Sequence, residues 1–270
     1  MRPIRWAPKG DIMYLLADQS SNAKLSKNLG ITAKWQTSIL YLSPADSSDL
    51  TDSSGGPVNL CPAASPGCRA ACLNTAGRGA MSSVQLGRLR KTKLLVQDPI
   101  EFNRQLSADL ETLVNRQRRT GVRQAVRLNG TSDIAWEFHS IVRNGTEFDG
   151  VPQAFPELLF YDYTKLPNRI IDFATPEDSW FPSNYHLTFS RSEVNDVIVR
   201  RLLKYSTVTV AVVFSGTQLP TEWNGRPVID GTQHDMRFLD PAGVIVGLLA
   251  KGKAKRDDSG FTIQLTEGAA

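Results

Sequence analysis

Short apolar runs at residues 38–42, 124–128, 158–163, 185–189, 207–214 and 244–249 are built from Val, Leu, Ile and aromatic residues in near-continuous succession. A strand with one wet face alternates polar and apolar positions; a run apolar on both sides has to be covered on both faces, as parallel strands are. Between the runs lie helical patterns. The clearest starts at Asp98-Pro99, where an N-capping acid, a first-turn proline and Glu101 coincide; Phe102, Leu106, Leu110 and Leu113 share one face, and Gly121 ends it. A second is expected from Ser190, with Glu193 three residues on and a stripe of Val194, Val197, Ile198, Leu202 and Tyr205. Strands alternating with helices predict an α/β fold with a largely parallel sheet, either open or wound into a complete or partial (β/α) barrel.

At 270 residues the chain is long enough for one domain with a substantial core. We read 1–270 as a single domain: a preface and a Ser-, Asp-, Gly- and Pro-rich loop up to 58, a cysteine loop at 59–80, an alternating body at 81–255 and a tail at 256–270. No repeat or heptad pattern is present, which excludes solenoids and coiled coils. No apolar run approaches the roughly 18 residues a membrane span needs. The basic N-terminus lacks the apolar core and cleavage site of a signal peptide, so a cytoplasmic location is expected. Lys and Arg number 31 against 27 Asp and Glu, a net charge of +4 that weakly favours a polyanionic partner. Arg88, Arg90, Lys91 and Lys93, with Arg116, Arg118 and Arg119, form the densest basic grouping and a candidate nucleic-acid surface. Asp98, Glu101, Asp109 and Glu111 interleave it, as on a solvated helix face.

All three cysteines, Cys61, Cys68 and Cys72, fall in CPAASPGCRAACLNTAGRG with the spacing C-x6-C-x3-C. An odd number cannot close by internal pairing, and in a reducing compartment close-set thiols serve a metal or redox chemistry. A zinc site would need a fourth ligand from His139, His186 or His234, of which His234, flanked by Asp230 and Asp235, is the candidate. A cubane [4Fe–4S] cluster takes thiolates at its corners and tolerates irregular spacing; three would leave one iron open to another ligand, and a [3Fe–4S] cluster suits the same trio. Gly67, Gly77 and Gly79 would let backbone amides approach the cluster sulfides. Polar residues follow the predicted strands where α/β folds place their chemistry: NGTSD at 129–133, then Asp162, Thr164 and Lys165, then Ser190 and Arg191. Asp133, Asp162 and Lys165 are the candidate catalytic groups, with Asp133 alternatively the N-cap of a helix beginning near Ile134.

The block CPAASPGCRAACLNTAGRG resembles the cysteine block of the bacteriophage gene product 88 family, and the likeness continues in VRLNGTSDIAWE, LLFYDYTKLPNR and DGTQHDMRFLDPAGVIVGLLAKG, from residue 21 to about 255. It implies a phage-type protein and attaches no activity. A looser likeness is to radical S-adenosylmethionine enzymes, in which a three-cysteine loop after the first barrel strand holds a [4Fe–4S] cluster and the open iron binds S-adenosylmethionine. That likeness implies a barrel-like fold, the cluster, and S-adenosylmethionine as a second ligand. The spacing here departs from their C-x3-C-x2-C, and NGTSD stands where their cofactor motif would follow the second strand. Two functions are therefore expected alternatives. One is an iron–sulfur protein with redox or radical chemistry at the open iron; the other is a nucleic-acid-binding protein of phage replication or host takeover with a structural metal.

Overall fold

The structure, a computed structural model, describes residues 14–18, 34–44, 50–51, 55–75, 77–175 and 180–265. The N-terminal segment read for a targeting signal, much of the preface and polar loop, the start of the family likeness at residue 21 and the last residues of the tail lie outside the described residues. In chain order the strands are β1 (Leu16–Asp18), β2 (Trp35–Leu40), β3 (Arg123–Arg127), β4 (Ile141–Arg143), β5 (Thr146–Phe148), β6 (Leu159–Thr164), β7 (Tyr185–Ser190), β8 (Val210–Phe214), β9 (Glu222–Trp223), β10 (Arg226–Asp230) and β11 (Ile245–Leu249). The helices are α1 (Pro66–Ala70), α2 (Ser82–Gln97), α3 (Pro99–Thr120), α4 (Val151–Ala154), α5 (Pro167–Ala174) and α6 (Asp196–Leu202).

Nine strands form one sheet in the order β1-β2-β3-β6-β7-β8-β11-β10-β9, and β4 and β5 form a separate hairpin. From β2 to β10 neighbouring strands run parallel; β1 and β9 are antiparallel at the two edges. The mostly parallel α/β sheet is thus formed. It does not close on itself among the described residues, and the expectation of a complete barrel is corrected to an open sheet whose edge strands are capped antiparallel.

From β2 to β8 each new parallel strand is laid beside the last, and right-handed crossovers then bring the connecting helices to one face. The core there combines Phe102, Leu106, Leu110 and Leu113 of α3, Ile170 of α5 and Val199 and Leu202 of α6 with Val126, Phe160, Leu187, Val210 and Val212 of the strands. The α3 signals act as read: Asp98 accepts from the Glu101 N–H at 3.1 Å, Pro99 opens the helix, and Gly121 closes it at φ +70°, a conformation that favours glycine. The other face carries residues of opposite parity, Ala125, Tyr161 and Trp35, covered by Met236 and Phe238 of the irregular segment after β10.

One expectation fails locally. The second helix starts at Asp196 instead of Ser190, because Glu193 is recruited elsewhere, as described below; Val194 and Val197 of the proposed stripe are exposed. The described part of the tail, to residue 265, joins the sheet. Strands β6 and β7 pair over five positions but β7 and β8 over only two, Phe189 with Val210 and Ser190 with Ala211. Past that point Ile263 takes the place of β7: its N–H donates to Val213 O at 2.8 Å and its carbonyl accepts from Ser215 N at 2.9 Å. Arg191 holds this wedge by donating to the Gly260 and Phe261 carbonyls, while its own charge meets Asp196 at 2.8 Å.

Candidate functional site

Where the wedge parts β7 from β8, a cavity of about 330 Å³ opens over the C-terminal ends of the strands on the face away from the helices. Cys61, Cys68 and Cys72 all line it, all are half-buried, and none is in a disulfide. The loop carrying them is built from local signals. Ser65 is the N-cap of α1, accepting from the Cys68 N–H at 3.2 Å, and Pro66 opens the turn that carries Cys68. Cys72 follows that turn, and its sulfur accepts from the Asn74 N–H at 3.4 Å.

Three clasps fix this loop to the body. Glu193 accepts from both Ser65 Oγ and the Gly67 N–H, each at 2.7 Å. The Asp133 N–H donates to Leu60 O at 2.7 Å and Cys61 Sγ donates to Thr131 O at 3.4 Å, tying the loop to the turn after β3. From α2, Arg88 donates to Asn74 Oδ1 at 2.5 Å and Gln85 to Asn74 O at 2.6 Å. Burial, reinforced by Asp133 and the neighbouring thiols and opposed by Lys165, pushes the Cys61 thiol up to about 12. Cys72 is raised chiefly by burial, with the Asn74 N–H opposing.

No three His, Cys, Asp or Glu side chains among the described residues are grouped closely enough for one metal ion. A tetrahedral zinc at its usual Zn–S distance would draw sulfurs to roughly 3.8 Å of each other. The corners of a cubane stand farther apart, and amide N–H groups directed at sulfur, as at Cys72, are the contacts that tune such clusters. Three thiols lining one cavity are the donor type that thiolate-bound metal groups take.

The remaining candidates divide between the two faces. Lys165 lines the cavity, and its ammonium donates to Ser190 Oγ at 2.7 Å. Asp133 also lines it, but both oxygens are engaged: Oδ1 by Arg169 at 3.0 Å and Oδ2 by the Lys165 N–H at 2.8 Å. The short 3₁₀ turn that follows starts at Trp136 with Ala135 at its cap, so Asp133 is not a helix cap. Asp162 points the other way. Strand alternation turns it from the cavity into a buried network where it accepts from the Asn129 N–H at 2.7 Å and the Tyr185 hydroxyl at 2.7 Å. Burial pushes its carboxyl up to about 7 against the opposing pull of Arg127 and these donors.

The glycines serve the loop's own packing. A Cβ on Gly67 would strike Ser259, Glu193 and Phe261, one on Gly79 would strike the Leu73 and Asn74 carbonyls, and Gly77 sits at φ +53°. His234 is not among the cavity-lining side chains; its Nδ1 lies 3.1 Å from Arg237 and its Nε2 3.5 Å from Asp240. His139 bonds Asn103 at 2.7 Å, and His186 is half-buried on β7. The basic grouping does not form one surface. Arg88 is buried under the cysteine loop, and Lys91 donates to Leu15 O at 2.6 Å. Arg116 pairs with Asp18 and Arg118 with Glu157; Arg90 and Arg119 are exposed, on separate helices, and Lys93 is half-buried. A helix places successive residues around its axis, so a run of basic residues in sequence is not a patch in space.

Sequence reasoning missed Arg127 and read Asp235 only as a neighbour of His234; the two meet at 2.8 Å across 108 residues and both line the cavity. Burial opposes the Arg127 charge, but Asp235 more than offsets it and holds the guanidinium protonated. Lys251 stands at the mouth, and Phe261 forms one wall. The parity of Ala125 and Arg127 on β3 was the available signal for the first of these. No helix among the described residues is long and apolar enough to cross a membrane.

No curated protein and no solved structure matches this chain. A model of the gene product 88 family, however, matches residues 14–265, a span that takes in the cysteine loop, the rim turns after β3, β6 and β7, and the wedge that closes the cavity. The chain belongs to the gene product 88 family.

Proposed function

We propose that the protein binds an iron–sulfur cluster through Cys61, Cys68 and Cys72, with one iron left without a cysteine ligand. The observation that carries this reading is that the chain's only three thiols, all from one clasped loop, line a single cavity at the strand rim. Lys165 and the Asn74 N–H supply the positive charge and hydrogen bonding that thiolate ligands need. When bound, such a cluster would supply one-electron chemistry and, at the iron without a cysteine, a Lewis-acid position. The chain's own part is to hold the thiols apart, exclude bulk water with Phe261 and the Arg191-held wedge, and present Lys165 and Ser190 to whatever occupies the open side.

Anaerobic reconstitution of wild type and Cys68→Ser tests it. Wild type is expected to turn brown with broad absorption near roughly 400 nm, and the variant to lose most of that absorption together with thermal stability, because metal-site energy is folding energy. Equal spectra for the two proteins would remove Cys68, and with it the three-thiolate site.

A further inference from the structure

The charged side chains lining the cavity are Arg127, Lys165 and Lys251 against Asp133 and Asp235. Both acids are already matched by buried guanidinium groups, Asp235 by Arg127 at 2.8 Å and Asp133 by Arg169 at 3.0 Å, and Asp133 also accepts from the Lys165 backbone. Arg169 is in turn gripped at both ends by Glu137, at 2.5 and 2.7 Å, behind the cavity wall. The donors are not matched. An ammonium has three N–H groups, and Lys165 uses one on Ser190 Oγ, which leaves the serine hydroxyl its own proton to give. Lys251 feels the charge of Asp230 but makes no hydrogen bond or ion pair among the described residues, and Arg127 Nε is buried without a partner. Between these groups Ala211, Val213, Leu248 and Phe261 make an apolar wall.

From this excess of donors over acceptors beside an apolar wall we infer that the cavity takes a small organic anion, a carboxylate or a phosphate monoester with an apolar body. Its acidic group sits against Lys165 and Ser190, and its apolar part lies on Val213 and Leu248. The inference rests on the reading of this cavity as the functional site, and it names what stands opposite the thiols. A volume of about 330 Å³ lies at the lower end for small-molecule pockets and suits compact groups, not a polymer strand.

Calorimetric titration of the purified protein with phenyl phosphate, benzoate and the neutral benzamide tests this directly. At least one anion should bind tighter than benzamide by roughly tenfold or more, as expected for charge-assisted hydrogen bonds; whichever anion is tighter assigns the acidic group. Lys165→Gln should weaken that anion roughly tenfold, Lys251→Gln, exposed at the mouth, about threefold, and Lys253→Gln, outside the cavity, not at all. Should Lys165→Gln fail to fold, Lys251→Gln decides alone. Equal binding of anions and benzamide, or lysine variants that bind as wild type, would overturn the inference. Iron measured on the same samples separates the two readings: anion binding without iron removes the cluster alone, and iron without anion binding removes the anion alone.

Discussion

On one side β8 presents Val210, Val212 and Phe214 to the helix-packed core, where each is fully buried; on the other the same strand presents Ala211 and Val213 to a cavity ringed by thiols and cations. Strand β6 divides in the same way, with Phe160 and Asp162 inward and Tyr163 and Lys165 toward the cavity. On the helix side the polar network around Asp162 is answered within the protein. Asp162 accepts from Asn129 and Tyr185, and Asn129 Oδ1 in turn accepts from Ser132 Oγ, the Ile134 N–H and Trp136 Nε1. On the other side irregular segments replace helices as the cover, and donors are left over. Regular helices seal a face, whereas a clasped loop and a C-terminal wedge leave room for a ligand.

Arg169 joins the two faces, and removing it should break the comparison most severely. Arg169→Met strands Glu137 and Asp133 as buried carboxylates without their counter-charge, an expected loss of about 3–5 kcal/mol in urea unfolding. A loss below about 1 kcal/mol would mean that the pairs do not anchor the rim.

The sealed face also predicts an unusual pH dependence. Asp162 titrates near 3.8 when unfolded and at about 7 when folded, so between these values the folded state holds the extra proton. Its contribution is fully present below about pH 4 and is lost as pH rises through about 7, by a few kcal/mol in all. The melting temperature of wild type should therefore fall more steeply from pH 5 to 8 than that of Asp162→Asn. Parallel profiles would contradict the buried carboxyl.

The sharpest and smallest test uses adjacent residues of identical chemistry. Val212→Ala should cost about 2 kcal/mol, from two buried methyl groups and the cavity they leave, whereas Val213→Ala, which only widens an existing cavity, should cost less than about 1 kcal/mol. Equal costs would mean that the second face is packed as tightly as the first.

Much of the sealed face was legible in the sequence because its signals are local. The Asp98-Pro99 start, the α3 stripe and the Gly121 stop lie within one helix, and the buried strands announce themselves by composition. The β4–β5 and β9–β10 hairpins went unread, although Asn144-Gly145 and Asn224-Gly225 stand at their turns with positive φ angles, because their strands are too short to show alternation. Helix α2 was hidden because its apolar residues, Val84, Leu86, Leu89, Leu94, Leu95 and Val96, are spread around the axis without a stripe. The α6 start misled because Ser190 and Glu193 have capping-box spacing while Glu193 serves Ser65 and Gly67, some 126 residues away. The cavity's cysteines and Lys165 stood out by residue type. Its counter-ions did not, because the pairing of Arg127 with Asp235 is made by the fold across 108 residues and is not readable from either position alone.

Anaerobic determination of iron and acid-labile sulfide in the untagged protein bears most directly on the claim that three thiols on one loop grip a cluster. The account predicts the two in near-equal amounts, about three to four of each per chain. Folded protein carrying neither, or carrying zinc in their place, would contradict it.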